Sequence, residues 1–184
     1  MNDTREKRNE IVWVYGGSAA GKETFIKFIS EQHPQKLLES LRWGNKQIVP
    51  CTESMEWVAQ YEGDPKGPLR AEIPNVVVGL NSQNTNVVIL VKGQDLDLEA
   101  DRPRKLKTLL PEDRHRIIYI DTNIDEVFKR LQRKPWWEDS FTKEEAQQWL
   151  DHQHELLRGL RDEFEITAVD GSTKGAYKIV DQPV

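Results

Sequence analysis

A chain of 184 residues suits one domain with a sizeable core and leaves little room for a second. Charged residues make up 31% and hydrophobic residues 37%, the balance of a soluble, globular, heavily charged protein. The net charge of -5 supplies no global field for nucleic acid, so only a local basic patch would serve that purpose. Cys51 is the only cysteine, which excludes an internal disulfide and fits a reducing cytoplasm. The N-terminus MNDTREKRNE lacks the apolar core of a signal peptide, and no apolar run approaches the ~18 residues of a membrane span. The expectation is a protein neither exported nor membrane-embedded.

In chain order, IVWVY (11–15) is a continuous apolar run ending in Gly-Gly, the pattern of a strand buried on both faces of a parallel sheet. KETFIKFISEQ follows as a helix, with Phe25, Phe28 and Ile29 at i, i+3 and i+4 and His33-Pro34 as its stop. QIVPCT (47–52), NVVILV (86–91), RIIYID (116–121) and FEITAVD (164–170) read as further strands, and Cys51 on the second reads as a buried, inert thiol. Five strands separated by crossovers predict a parallel five-stranded α/β sheet with helices on both faces, one domain over residues 1–184. YEGDPKGPLRAEIP predicts a loop and then a short helix from about Asn75, the natural place for an acceptor pocket. NIDEVFKRLQRK puts Ile124, Val127, Phe128 and Leu131 on one helical face before Pro135. Thr142 and Glu145 form a capping box for the helix TKEEAQQWLDHQHELLRGLRDEF, and PWWEDSF between the two helices reads as a mobile lid. Of the six tryptophans, Trp13 and Trp149 read as core, whereas Trp43, Trp57, Trp136 and Trp137 lie in or beside loops and offer faces for a base.

The chemistry is concentrated in GGSAAGKET, residues 16–24. A phosphate loop needs glycines to turn backbone N–H groups inward, a lysine for the outer phosphates and a hydroxyl for magnesium. Gly16, Gly21 and Lys22 meet the first two needs, and the loop follows a strand and opens a helix. Glu23 stands where the usual hydroxyl is found. A chance glycine loop in a protein that binds no nucleotide is the bland alternative. The loop resembles the GGxxxGKGT of adenylate and related nucleoside monophosphate kinases, in which threonine comes one place later. That resemblance implies ATP on Gly16, Gly17, Ser18, Ala19, Ala20, Gly21, Lys22, Glu23 and Thr24, with Thr24 holding magnesium.

Switch and motor NTPases share such a loop but need further segments that this chain does not obviously supply. Three stretches resemble the deoxynucleoside kinase and thymidylate kinase family. GGSAAGKETFIKFI is similar to GxxAAGKSTF, and CTESMEW resembles TEPxxxW, with Ser54 in place of proline and Trp57 one residue early. This implies Glu53 as the base for an acceptor hydroxyl and Trp57 as a pocket wall; a solvated loop glutamate is the alternative. KRLQRK with WLDHQHELL resembles the family's arginine-bearing lid and the following helix. Arg130 and Arg133 would stabilise the transferring phosphoryl group beside catalytic Lys22, or else lie on a helix surface, and His152 and His154 would be structural. Lys92 stands where monophosphate kinases tend to carry a magnesium-shell aspartate; either Asp95, otherwise a substrate-side residue, takes over that duty or the metal relies on water and Thr24. Asp101-Arg102-Pro103 loosely resembles the Glu-Arg-Ser segment, which brings Arg102 to the substrate, and GSTKG (171–175) falls where related kinases bind adenine.

A glutamate base implies a hydroxyl acceptor, because a phosphate is already ionised and needs no base. A free (deoxy)nucleoside is one acceptor. In size and loop the chain also resembles phage kinases acting on 5-hydroxymethyl-deoxyuridine within DNA. There RPRKLK, DRHR and KRLQRK would meet the DNA backbone, and Trp136 and Trp137 would clamp a flipped base. A nucleotide-binding module without catalysis is the reading from another class, with Glu23 and Lys92 as its signs. The resemblance implies strand order 2-3-1-4-5.

Overall fold

The computed structural model describes residues 8–52, 66–134 and 141–180. The elements follow as β1 (Glu10–Tyr15), α1 (Lys22–Gln32), α2 (Gln35–Ser40), β2 (Gln47–Cys51), α3 (Lys66–Gln83), β3 (Val87–Lys92), α4 (Asp95–Glu99), α5 (Arg102–Leu109), β4 (Arg114–Asp121), α6 (Ile124–Leu131), α7 (Lys143–Arg158), β5 (Glu165–Asp170) and β6 (Lys178–Val180). They build one sheet of order β2-β3-β1-β4-β5-β6, parallel except for β6.

The apolar run of β1 explains its central place, because every residue from Ile11 to Tyr15 is fully buried between two layers. Strand alternation sends Val12, Val14, Val88, Leu90, Ile118 and Ile120 to the face covered by Phe25, Ile26 and Ile29 of α1 and Leu37 and Leu38 of α2. Ile11, Trp13, Tyr15, Ile89, Val91, Ile117 and Tyr119 go to the opposite face, under α3, α5 and α7. Among the described residues, the loops after β1, β3 and β5 that carry candidates lie beyond the carboxyl ends of parallel strands, where open α/β sheets bind ligands.

Several expectations are corrected. The sheet has six strands, not five: β6 adds antiparallel to β5 after the 171–175 turn. Its three residues, half-buried or exposed at the sheet edge, have no hydrophobic pattern to announce them. The helix expected from about Asn75 begins at Lys66 and contains Pro74. Ile73 and Val77, one turn apart, are buried in the core, and that packing outweighs the hydrogen bond the proline removes. Trp149 is 46% exposed rather than core, because α7 turns Ala146, Leu150, Gln153 and Leu157 inward and leaves Trp149 one position off that stripe. Trp43 offers no stacking face: it is buried, and its Nε1 donates to Glu10 Oε1 at 3.1 Å. The capping box of Thr142 and Glu145 is present at the start of α7, and Cys51 is buried.

Candidate active site

A cavity of about 1400 Å³ opens over the carboxyl ends of the strands. Its floor is the loop between β1 and α1. Gly16 has φ +150° and Gly21 φ +100°, and a Cβ on Gly16 would meet the Ile120 carbonyl at 2.8 Å. A Cβ on Gly17 would meet Leu150 Cδ2 at 2.4 Å, so the loop is also pressed against α7. Gly16, Gly17, Ser18, Ala19, Gly21, Lys22, Glu23 and Thr24 line the cavity, while Ala20 lies buried behind them. Lys22 folds back on the loop, its Nζ donating to the carbonyls of Gly16 at 2.5 Å and Gly17 at 3.0 Å.

One side of the cavity is fastened to backbone carbonyls. Arg130 Nη1 donates to the Ala20 carbonyl at 3.3 Å, and Nη2 to the carbonyls of Gly171 at 3.1 Å and Ser172 at 2.9 Å. Its Nε binds Glu126 Oε1 at 2.8 Å, and that bond holds the Glu126 carboxyl below its ordinary range. Thr122 Oγ1 donates to the same Ala20 carbonyl at 2.9 Å. Arg130 therefore ties α6, the glycine loop and the turn after β5 into one frame. Gly171–Gly175, Phe28 and Tyr177 line this side, the two rings 5.2 Å apart. Within the turn, Ser172 N donates to Asp170 Oδ1 and holds that carboxyl below its usual value. Arg133 and Lys134 reach the same cavity exposed, beyond the end of α6.

The other side is held by pairs of side chains. Lys92 Nζ lies 3.1 Å from Glu23 Oε2. Asp95 lines the cavity and accepts from Gln153 Nε2, while the Oε1 of the buried Gln153 has no hydrogen-bond partner among the described residues. Gly93 lets the Tyr15 ring lie against the chain, since a Cβ there would sit 2.3 Å from Tyr15 Cε1. Tyr119 meets His154 Nε2 at 2.6 Å; burial first, then Asp121, Asp95 and Asp151, raises the Tyr119 hydroxyl well above its ordinary value. Burial also lowers His154, which favours the neutral imidazole in this Tyr119–His154 hydrogen bond. His152 faces Glu99 at 3.2 Å, on a different helical face from His154 and without a shared ligand.

Among the expected substrate residues, Asp95 is at the cavity and Arg102 is not among its lining residues. Arg102 Nη1 instead binds Asp97 Oδ1 at 2.9 Å, a carboxylate fully buried between α4 and α5 that would be costly to leave unpaired. Glu53, Trp57, Trp136 and Trp137 lie outside the described residues. Sequence reasoning missed Thr122 and the clamp made by Arg130. The i, i+4 spacing of Glu126 and Arg130 was a visible signal for part of that clamp, whereas nothing local marks the carbonyls it reaches.

No group of three or more His, Cys, Asp or Glu side chains able to hold a metal is present among the described residues. Magnesium that arrives with a polyphosphate needs only one or two protein oxygens, the rest coming from phosphate and water. Thr24 and Asp95, both on the cavity wall, fit that requirement. A glycine cradle closed to any Cβ, opening a helix, likewise fits an anion approaching backbone N–H groups.

No protein-family model matches the sequence, and no curated protein is similar to it in sequence. Solved structures are similar in fold. Shikimate kinase from Acinetobacter baumannii, in complex with shikimate, superposes with a TM-score of 0.55 at 16% identity, over 93% of this chain and 87% of that one. A chain of the Pnkp1/Rnl/Hen1 RNA repair complex gives 0.56 at 11% identity over 90% of this chain. This chain spans 49% of that protein's length. Likeness at these identities is likeness of fold: the chain is built on the α/β fold that shikimate kinase also adopts.

Proposed function

We propose that the protein is an ATP-dependent phosphotransferase that moves the γ-phosphate to a hydroxyl of a nucleoside-type acceptor. The observation that carries the reading is the glycine loop between β1 and α1, set with Lys22 in a cavity that Lys27, Lys92, Arg130, Arg133, Lys134 and Lys174 also line. The loop amides and Lys22 bind the phosphates, and Lys22 exchanges two loop carbonyls for phosphate oxygens. Arg130 holds the loop in register with the 171–175 turn, beside which the adenine lies, and Arg133 closes on the transferring group. Thr24 and Asp95 hold magnesium, which when bound neutralises charge between the outer phosphates. Glu53 takes the proton from the acceptor hydroxyl, and Trp57 walls the acceptor.

A free nucleoside is preferred to one carried in DNA. Two of the three basic segments that would meet a DNA backbone, RPRKLK and DRHR, are tied into the fold, while KRLQRK leaves Arg133 and Lys134 exposed at the cavity. Arg104 Nε binds Glu163 Oε1 at 2.7 Å, Lys107 bonds the Glu163 carbonyl, Arg114 pairs with Glu165, and Arg116 pairs with buried Glu10. The test is transfer of labelled γ-phosphate from ATP with magnesium to free deoxynucleosides and monophosphates, and in parallel to duplex DNA with and without 5-hydroxymethyl-deoxyuridine. Label on a free nucleoside is expected. Label only on hydroxymethylated DNA moves the acceptor into DNA and brings Trp136 and Trp137 in as a base clamp. ATP binding without transfer to any acceptor leaves a nucleotide-binding module. Glu53→Gln should lower turnover about 100-fold or more with ATP affinity nearly unchanged, and unaltered turnover would remove Glu53 as base.

A further inference from the structure

The charge pair at the end of β3 has a geometry that a purely structural ion pair does not need. Val88 and Leu90 face α1, and two residues on Lys92 emerges on the same face just past the apolar layer. Its backbone is in register with Val14, two residues before the loop glycine Gly16. The side chain thus rises beside the first turn of α1, where loop amides converge, and both Lys92 and Lys22 line the one cavity.

The two partners are unequally placed. The Lys92 side chain is 15% exposed, sheltered in the wall, whereas that of Glu23 is 56% exposed. A largely exposed carboxylate swings into water at little cost, and solvent on its open side screens the pair. A phosphate oxygen makes the same kind of charge-assisted bond with this ammonium, and a triphosphate tail brings several negative charges where Glu23 brings one. Glu23 left in place would repel that phosphate, so partner exchange removes a repulsion as it forms an attraction.

We propose that Lys92 is a second polyphosphate-binding lysine, paired with Glu23, and that the triphosphate tail of a nucleotide displaces Glu23 from it. This rests on the nucleotide-binding reading of the cavity. Among the described residues each lysine meets acceptors that phosphate can replace: the Gly16 and Gly17 carbonyls for Lys22, the Glu23 carboxylate for Lys92.

The experiment is calorimetric titration of the whole chain with ATP and with AMP, in EDTA and again with magnesium, for the wild type, Lys92→Met, Glu23→Gln and Lys22→Met. In EDTA, Lys92→Met should weaken ATP about tenfold and leave AMP within about twofold, since AMP has no outer phosphates. Glu23→Gln should tighten ATP by a few-fold, a sign opposite to that of Lys92→Met. An ion pair that merely braces the fold predicts the same sign for both variants, and that result overturns the proposal. If Lys92→Met fails to fold, weaker ATP binding by Glu23→Gln overturns it alone. ATP binding that depends on Lys22 but not on Lys92 ends this inference and leaves the nucleotide reading standing. No ATP binding by the wild type in either buffer ends both.

Discussion

The two sides of the cavity are fastened by different means. Around Arg130 the two terminal guanidinium nitrogens reach the backbone carbonyls of Ala20, Gly171 and Ser172, which any sequence supplies once the chain is placed, and only Nε uses a side chain, Glu126. Across the cavity, at the end of β3 and around α4 and α7, the bonds join one side chain to another: Lys92 to Glu23, Gln153 to Asp95, His154 to Tyr119. A frame built mainly on backbone survives most substitutions other than that of its donor, while a frame of pairs fails when either member changes. The first side suits a ligand part that never varies, such as phosphates and adenine, and the second suits a part on which specificity is selected.

The largest expected effect tests whether the loop side carries the binding. Lys22→Met should lower phosphate transfer about 100-fold or more, as seen when a single charged donor to a developing anion is lost; steady-state rates at saturating acceptor measure it. Next come two arginines one helical turn apart. Arg130→Lys keeps the charge but gives up the fork that spans three carbonyls, and should cost on the order of 2 kcal/mol in denaturant unfolding. Arg133→Ala should stay within about 0.5 kcal/mol of the parent while slowing transfer. Equal stability losses would erase the distinction between a framing and a closing arginine.

The smallest effect is one of pH. Burial lowers His115 and His154 below the ordinary value of 6.5. The His115 Nε2–H donates to the Leu110 carbonyl, so protonation would bury a second N–H at Nδ1, which has no partner among the described residues. As pH falls through about 6.5 the unfolded chain gains protons that the folded chain refuses, so stability is lost on acidification and unchanged by these groups above about 7.5. Thermal midpoints at pH 7.5 and 5.5 should show the drop, and His115→Gln should reduce it.

The same contrast explains what was legible in the sequence. The five parallel strands and the loop after β1 were readable because buried parallel strands write continuous apolar runs and a tight strand-to-helix turn writes glycines, whereas the order β2-β3-β1-β4-β5 came from the family resemblance and not from those runs. The position of Lys22 followed from the same local spacing. The pairing of Lys92 with Glu23 spans 69 residues, and Arg102 was matched to the substrate through the loose likeness of Asp101-Arg102-Pro103 to a Glu-Arg-Ser segment, while nothing in the local sequence marked Asp97 as its buried partner. Trp149 was taken for core since hydrophobicity alone does not give helical phase; its neighbour Leu150 does. Pro74 marked a break that long-range packing of Ile73 and Val77 overrode.

The sheet ends at β6 on one side and β2 on the other. β6 offers only three residues, and β2 carries Pro50, which has no N–H to give a neighbour. Both outer strands are thus poor templates for a further strand, and fibrillar or swapped assembly by sheet extension is disfavoured at either end. Among the described residues the open sheet thus reaches a finish at both edges without closing into a barrel.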